Sequence, residues 1–214
     1  MARKTASMNA QPLQCVTIMV DEANRVCGLF QAPRGARACY VLAHGAGAGM
    51  THPFMMDIAD GLSQRDIATL RYQFPYMERG SKRPDSPKLA HASVRAAVTA
   101  AARLAPDLAL FAGGKSFGGR MTSQAQAAAP LTGVRGLIFL GFPLHPPDRP
   151  SSERGTHLAD VAVPLLFLQG TRDGFADAAL LEPLIARLGA NATLKTFQDA
   201  DHSFHVPARS GRKD

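Results

Sequence analysis

Ser116, Asp173 and His202 are the residues of this 214-residue sequence whose types and order could run nucleophilic chemistry. A serine hydroxyl is a poor nucleophile near neutral pH. It needs a base within hydrogen-bond reach and a third group to orient that base. Ser116 sits in Gly114-Lys115-Ser116-Phe117-Gly118, a G-x-S-x-G pattern between the apolar Leu108–Ala112 and a helix-compatible stretch from Phe117. Such a pattern suits a sharp strand-to-helix turn that lifts the hydroxyl above a sheet edge. Glycines at 113, 114, 118 and 119 would let strand and helix approach closely.

Two rivals for this turn can be weighed from single residues. A phosphate-binding loop needs a glycine five residues before the Gly-Lys pair, and that position is Ala109. An incidental serine in a plain turn is the other rival, and only partners elsewhere can argue against it. Asp173 lies in Thr171-Arg172-Asp173-Gly174, at once after the apolar run Val163–Gly170, and His202 lies in the loop after Thr193–Phe197. The order serine, acid, histidine on three strand ends supplies those partners. His205 is the alternative base. His145 precedes Asp173 and breaks the order, Asp201 reads as a residue orienting its own loop, and Asp148 lies in a proline-rich loop. Taken alone, Asp173 reads equally well as a helix cap.

The elements that must position these residues are legible as hydrophobic runs. Val16–Val20 and Val26–Phe30 read as a hairpin around Asp21-Glu22-Ala23-Asn24. Ala38–Ala43 is a continuous apolar run, as expected of a strand buried on both faces. It ends in His44-Gly45-Ala46-Gly47-Ala48-Gly49-Met50, where Met50 breaks a dinucleotide fingerprint. The loop instead suits half of an oxyanion hole, with backbone N–H groups from Ala46 and Phe117 as the donors.

Helices are expected over 53–65 and from Pro87 to about 105, the latter with Ser86 as its cap, and from Phe117 to about 129. Strands follow at Ile67–Phe74, Val134–Phe142 and Val163–Gly170. A helical region broken at Pro183 comes next, and then a last strand at Thr193–Phe197. Alternating β and α elements argue a mostly parallel sheet with functional groups at its C-terminal edge. His44, Arg71 and Tyr76 are candidate substrate-binding residues there. If the loop 75–87 borders the pocket, Arg71, Arg79, Lys82 and Arg83 would favour anionic substrates; the alternative is a solvated basic loop.

Composition narrows the field. With 46% hydrophobic and 19% charged residues the chain reads as one globular domain over 14–214, preceded by a flexible lead-in over 1–13. No apolar run approaches the roughly 20 residues a membrane helix needs, and no secretory signal is visible, so a cytoplasmic protein is expected. The net charge of +7 is dispersed and makes no basic stripe for nucleic acid. Cys15, Cys27 and Cys39 have no metal-ligand spacing and are expected to be small core residues. No cofactor or metal is called for, and a homodimer is left open.

Five stretches carry a resemblance: HGAGAGMTHPFM (44–55), LRYQFPYMERG (70–80), GGKSFGGRM (113–121), LQGTRD (168–173) and DADHSF (199–204). Together they resemble the small α/β-hydrolase branch related to dienelactone hydrolases, in particular its bacterial members and the testis-expressed protein 30 group. The resemblance implies an α/β-hydrolase fold of about seven or eight strands without a lid domain, and Ser116, Asp173 and His202 as a catalytic triad. Dienelactone hydrolases use a cysteine nucleophile; position 116 is serine, so that activity does not carry over. Members of the branch continue into a C-terminal helix, which is expected to be missing here. The expected function is a serine hydrolase of ester or related acyl bonds on small molecules. The competing reading is an interaction protein on the same scaffold with an idle triad.

Overall fold

The computed structural model describes residues 13–212. The lead-in expected over 1–13 therefore lies outside the described residues apart from Leu13. Strands β1 (Gln14–Met19) and β2 (Arg25–Gln31) form the expected hairpin. Its turn is held by the Asp21 carboxylate, which accepts from the backbone N–H of Ala23 and Asn24 at 2.9 and 2.8 Å. Then come β3 (Ala38–Ala43), α1 (Pro53–Ser63), β4 (Ile67–Tyr72), the single turn α2 (Pro75–Glu78) and α3 (Pro87–Leu104). After these follow β5 (Ala109–Lys115), α4 (Phe117–Ala128), β6 (Val134–Leu140), β7 (Leu165–Gly170), α5 (Ala178–Leu188) and β8 (Ala192–Phe197).

The eight strands lie in one sheet in the order β1-β2-β4-β3-β5-β6-β7-β8. Strands β1 and β2 are antiparallel additions at one edge; from β4 through β8 all neighbours run parallel. The two-residue period of a strand divides the side chains between two cores. Cys39, Val41 and Ala43 of β3, Leu110 and Ala112 of β5, and Phe139 and Phe167 of β6 and β7 join the larger core, to which α3, α4 and α5 contribute. Tyr40, Leu42 and Leu140 join Met55 of α1 in a smaller core on the other face, with Phe111, Ile138 and Leu168 packed against it. That face is thinly covered toward β8, whose Phe197 is 39% exposed. Among the described residues the helical segment after β8 is a 3₁₀ turn, Ala208–Ser210.

Two local expectations need correction. Cys15 and Cys27 are exposed, and only Cys39 is a core residue. The hairpin alternation turns Val26 and Ile18 inward, which leaves the two cysteines on the outer side with Thr17 and Met19. Pro183 does not interrupt its helix: α5 runs through it, because burial of Leu181 and Leu184 on either side offsets the one missing N–H. The connection after β6 contains a 3₁₀ segment, Glu153–Asp160, which buries Leu158.

Candidate active site

Strand β5 ends in an arrangement that only glycine permits. A Cβ on Gly114 would stand 2.2 Å from the Ala43 carbonyl oxygen, and one on Gly118 would stand 2.6 Å from the carbonyl oxygens of both Ala43 and His44. The close seat of α4 on β3 therefore depends on absent side chains. Between these glycines Ser116 adopts φ 49° and ψ −115°, a backbone conformation that L residues avoid. The chain turns sharply there, and Ser116 Oγ faces outward from the parallel edge.

Ser116 Oγ lies 2.9 Å from His202 Nε2, and His202 Nδ1 lies 2.7 Å from Asp173 Oδ2. A carboxylate only accepts, so Nδ1 carries the ring proton and Nε2 presents its lone pair to the serine hydroxyl. Asp173 is itself held: Gln169 Nε2 donates to Oδ2 at 2.5 Å and the Phe175 N–H donates to Oδ1 at 2.8 Å. The Asp173 side chain is fully buried while the His202 ring keeps 20% exposure, so the pair points from the interior toward the surface.

The histidine loop is fastened at several points. Asp201 Oδ1 accepts from the N–H groups of Ser203 and His205 at 2.8 and 3.0 Å, the orienting role its position suggested. Phe175 stacks on the His202 ring with centroids 4.3 Å apart. Phe204 lies between Phe54 and Phe197, 5.9 and 5.5 Å away. Lys115, the residue before the serine, donates from Nζ to the His202 carbonyl oxygen at 2.6 Å. Burial pushes its ammonium down to about 8 against the attraction of Asp173 and Asp201.

The glycine loop after β3 places Ala46 beside Ser116, on the wall of a cavity of about 490 Å³ that also includes His52, Phe54, Lys115 and His202. Neither the Ala46 nor the Phe117 N–H meets an acceptor among the described residues, so both remain free to donate. A separate apolar cavity, between α1 and the sheet at Tyr40, Leu62 and Phe111, does not include Ser116.

His44, Arg71 and Tyr76 are not on these walls. All three are buried, at 0%, 3% and 1% exposure, and they support the glycine loop from beneath. His44 bridges the Gly45 carbonyl (2.7 Å) and the Phe74 N–H (3.1 Å), and burial holds its pKa down to about 4, so it is a neutral imidazole. Tyr76 Oη accepts from the Gly47 N–H at 3.3 Å, and Arg71 Nη1 donates to the Met50 carbonyl at 3.3 Å. Strand ends mark them as near the site, but the loop folds over them.

His145 is also internal: its Nε2 accepts from the Asp177 N–H at 2.9 Å and its Nδ1 bonds the Pro146 carbonyl. A second serine–histidine contact, Ser123 Oγ to His157 Nε2 at 2.7 Å, lacks the same logic. Ser123 is fully buried, and its one proton goes to the Arg120 carbonyl at 2.9 Å, so His157 donates rather than accepts.

Residues 36–214 match the α/β-hydrolase domain family. The chain belongs to that family. Among solved structures, this α/β hydrolase is similar to a dienelactone hydrolase from Anabaena variabilis (TM-score 0.75, 22% identity, 94% of this chain and 91% of that one). It is also similar to an α/β serine hydrolase homologue from Coxiella burnetii (TM-score 0.74, 17% identity, 90% of each chain). An α/β serine hydrolase without a lid, from Xanthomonas campestris, superimposes with TM-score 0.72 at 21% identity over 90% of this chain and 87% of that one. At these identities the structural likeness speaks for the fold, and dienelactone hydrolases stand among the neighbours as the resemblance implied. Among the described residues no helix is long and apolar enough to cross a membrane.

Proposed function

We propose that this α/β hydrolase cleaves ester or related acyl bonds of small molecules through a covalent intermediate on Ser116. As His202 Nε2 takes the hydroxyl proton, Ser116 Oγ attacks the acyl carbon and the carbonyl π electrons move onto oxygen. The N–H groups of Phe117 and Ala46 would receive that oxyanion; one such donor is typically worth about 10²–10³ in rate. Asp173 holds the imidazole tautomer and stabilises the imidazolium. Collapse expels the leaving group, which takes the proton from His202 Nε2, and leaves an acyl-serine. Water then attacks with His202 again as base, and the acid product and free serine result.

The single observation that carries this reading is the hydrogen-bonded series Ser116–His202–Asp173, at 2.9 and 2.7 Å, with its serine on a cavity wall. The idle-scaffold reading gains no observation of its own. Hydrolysis of 4-nitrophenyl acetate and butyrate tests the proposal. Turnover that falls by about 10³ or more in both Ser116→Ala and His202→Gln supports it. Equal rates in wild type and Ser116→Ala would end it.

A further inference from the structure

A second cavity, of about 390 Å³, shares Ser116, Ala46 and Phe175 with the first and is walled further by Phe117, Arg120 and Arg154. Arg120 lies one helical turn beyond the serine, its N–H donating to the Ser116 carbonyl at 3.1 Å, so both occupy one face of α4. Its guanidinium lies 6.0 Å from the centre of the Phe117 ring, and its Nε is buried with no hydrogen-bond partner. Arg154 reaches the same wall from the 3₁₀ segment after β6.

Charge here is unbalanced. Among the described residues neither arginine takes part in an ion pair. The one carboxylate on the wall, Asp85, is already occupied: Oδ1 holds Arg79 at 2.7 Å, Oδ2 accepts from the Tyr76 N–H at 2.9 Å, and the side chain is 2% exposed. Burial and then the positive charge of Arg154 both lower the pKa of Arg120. Burial, with Arg120 and His91 adding to it, also holds His157 at about 4 against the weaker pull of Asp160. Two half-buried guanidinium groups without an anion repel each other in a poorly solvated wall, and a bound oxyanion would offset the charge of both.

We propose that Arg120 and Arg154 form an oxyanion subsite beside Ser116, and that the natural substrate is an acyl compound bearing a carboxylate or phosphate. This rests on the reading of Ser116 as the nucleophile. The 75–87 loop does border this cavity, through Pro84, Asp85 and Pro87, but the cations on the wall are Arg120 and Arg154 rather than Arg71, Arg79, Lys82 or Arg83. An anion held here would fix the acyl carbon relative to Ser116 Oγ, which makes the subsite a determinant of kcat/KM for charged substrates over neutral ones.

Matched substrates separate the two claims. For the leaving group, 4-acetoxybenzoate and 4-acetoxyphenyl phosphate are compared with methyl 4-acetoxybenzoate; for the acyl group, mono-4-nitrophenyl glutarate is compared with 4-nitrophenyl pentanoate. The expected result is a charged-over-neutral kcat/KM ratio of at least about ten in one series. Arg120→Gln and Arg154→Gln should each lower that ratio about ten- to a hundredfold, and Arg154→Lys should lower it less. Arg154 lies outside the elbow, the sharp strand-to-helix turn that carries Ser116, so its variants keep the test valid should Arg120→Gln fold poorly. Neutral esters preferred in both series, or a ratio unmoved in Arg154→Gln, would overturn the subsite and leave the hydrolase standing. No turnover of any of these esters by wild type would overturn the hydrolase reading itself.

Discussion

Lys115 sets up a stability change that is opposite in sign to the usual alkaline behaviour of a protein. Its ammonium is buried next to the elbow, and desolvation lowers its pKa from 10.5 to about 8, despite the attraction of Asp173 and Asp201 and the bond to the His202 carbonyl. Below pH 8 both folded and unfolded chains carry the proton, and the folded state bears the whole penalty of a poorly solvated charge. Above pH 10.5 both are neutral and the penalty is gone. Between these values the unfolded chain binds more protons, so stability rises with pH. At about 1.4 kcal/mol per pH unit the full effect is about 3 kcal/mol, of which about 2 to 3 kcal/mol falls between pH 7 and 10.

Replacement by Met keeps the length and removes the charge. Urea unfolding of wild type and Lys115→Met is then compared at pH 7, 8, 9 and 10. Other alkaline groups, such as the Cys39 thiol that burial pushes up to about 12, destabilise both proteins alike and cancel in the difference. Wild type should gain on Lys115→Met by about 2 to 3 kcal/mol over this range, roughly 5–10 °C in melting temperature for a chain of this size. Parallel curves from pH 7 to 10 would show that Lys115 is well solvated and that the reasoning is wrong.

Three further perturbations follow from the same geometry. Asp173→Asn keeps the size but offers an N–H where His202 Nδ1–H needs an acceptor; kcat for an activated ester should fall about 10²–10⁴-fold with KM little changed, and a loss confined to KM would contradict the tautomer argument. Ser116→Gly should be more stable than Ser116→Ala by about 1 kcal/mol in urea titrations, since glycine relieves the φ of 49° that alanine retains. His44, buried between the Gly45 carbonyl and the Phe74 N–H, should titrate near 4 by NMR. Its folded pKa lies below the unfolded 6.5, so its contribution is complete above pH 6.5 and is lost as pH falls through about 4; a midpoint near 6.5 would place it in solvent instead.

The sequence carried most of the frame because β3 to β7 announce themselves as apolar runs and because glycine cannot be replaced where α4 meets β3. Ser116, Asp173 and His202 were legible by position, since parallel strands deliver their last residues to one edge. The same rule misled for His44, Arg71 and Tyr76. They too lie at or just after strand ends, Arg71 within the last two residues of β4, but strand order does not say which way the glycine loop folds, and it folds over them. Lys115 and Arg120 lie inside the GGKSFGGRM stretch, but the motif assigns neither of them a role. Their roles arise from carbonyls and a 3₁₀ segment distant in the chain, His202 for one and Glu153–Asp160 for the other. Arg120 does carry one usable cue, its four-residue spacing from the serine on a helix. Cys15 and Cys27 show the limit of composition: an apolar neighbourhood in sequence became the outer face of a hairpin.

The central claim, a nucleophilic serine at the elbow, is tested most directly by covalent capture. The folded protein is treated with a fluorophosphonate probe, its intact mass is measured, and the modified peptide is sequenced by tandem mass spectrometry. One adduct per chain on Ser116, absent from Ser116→Ala and strongly slowed in His202→Gln, is the predicted result. No adduct on well-folded protein, or an adduct on Ser123 instead, would contradict it.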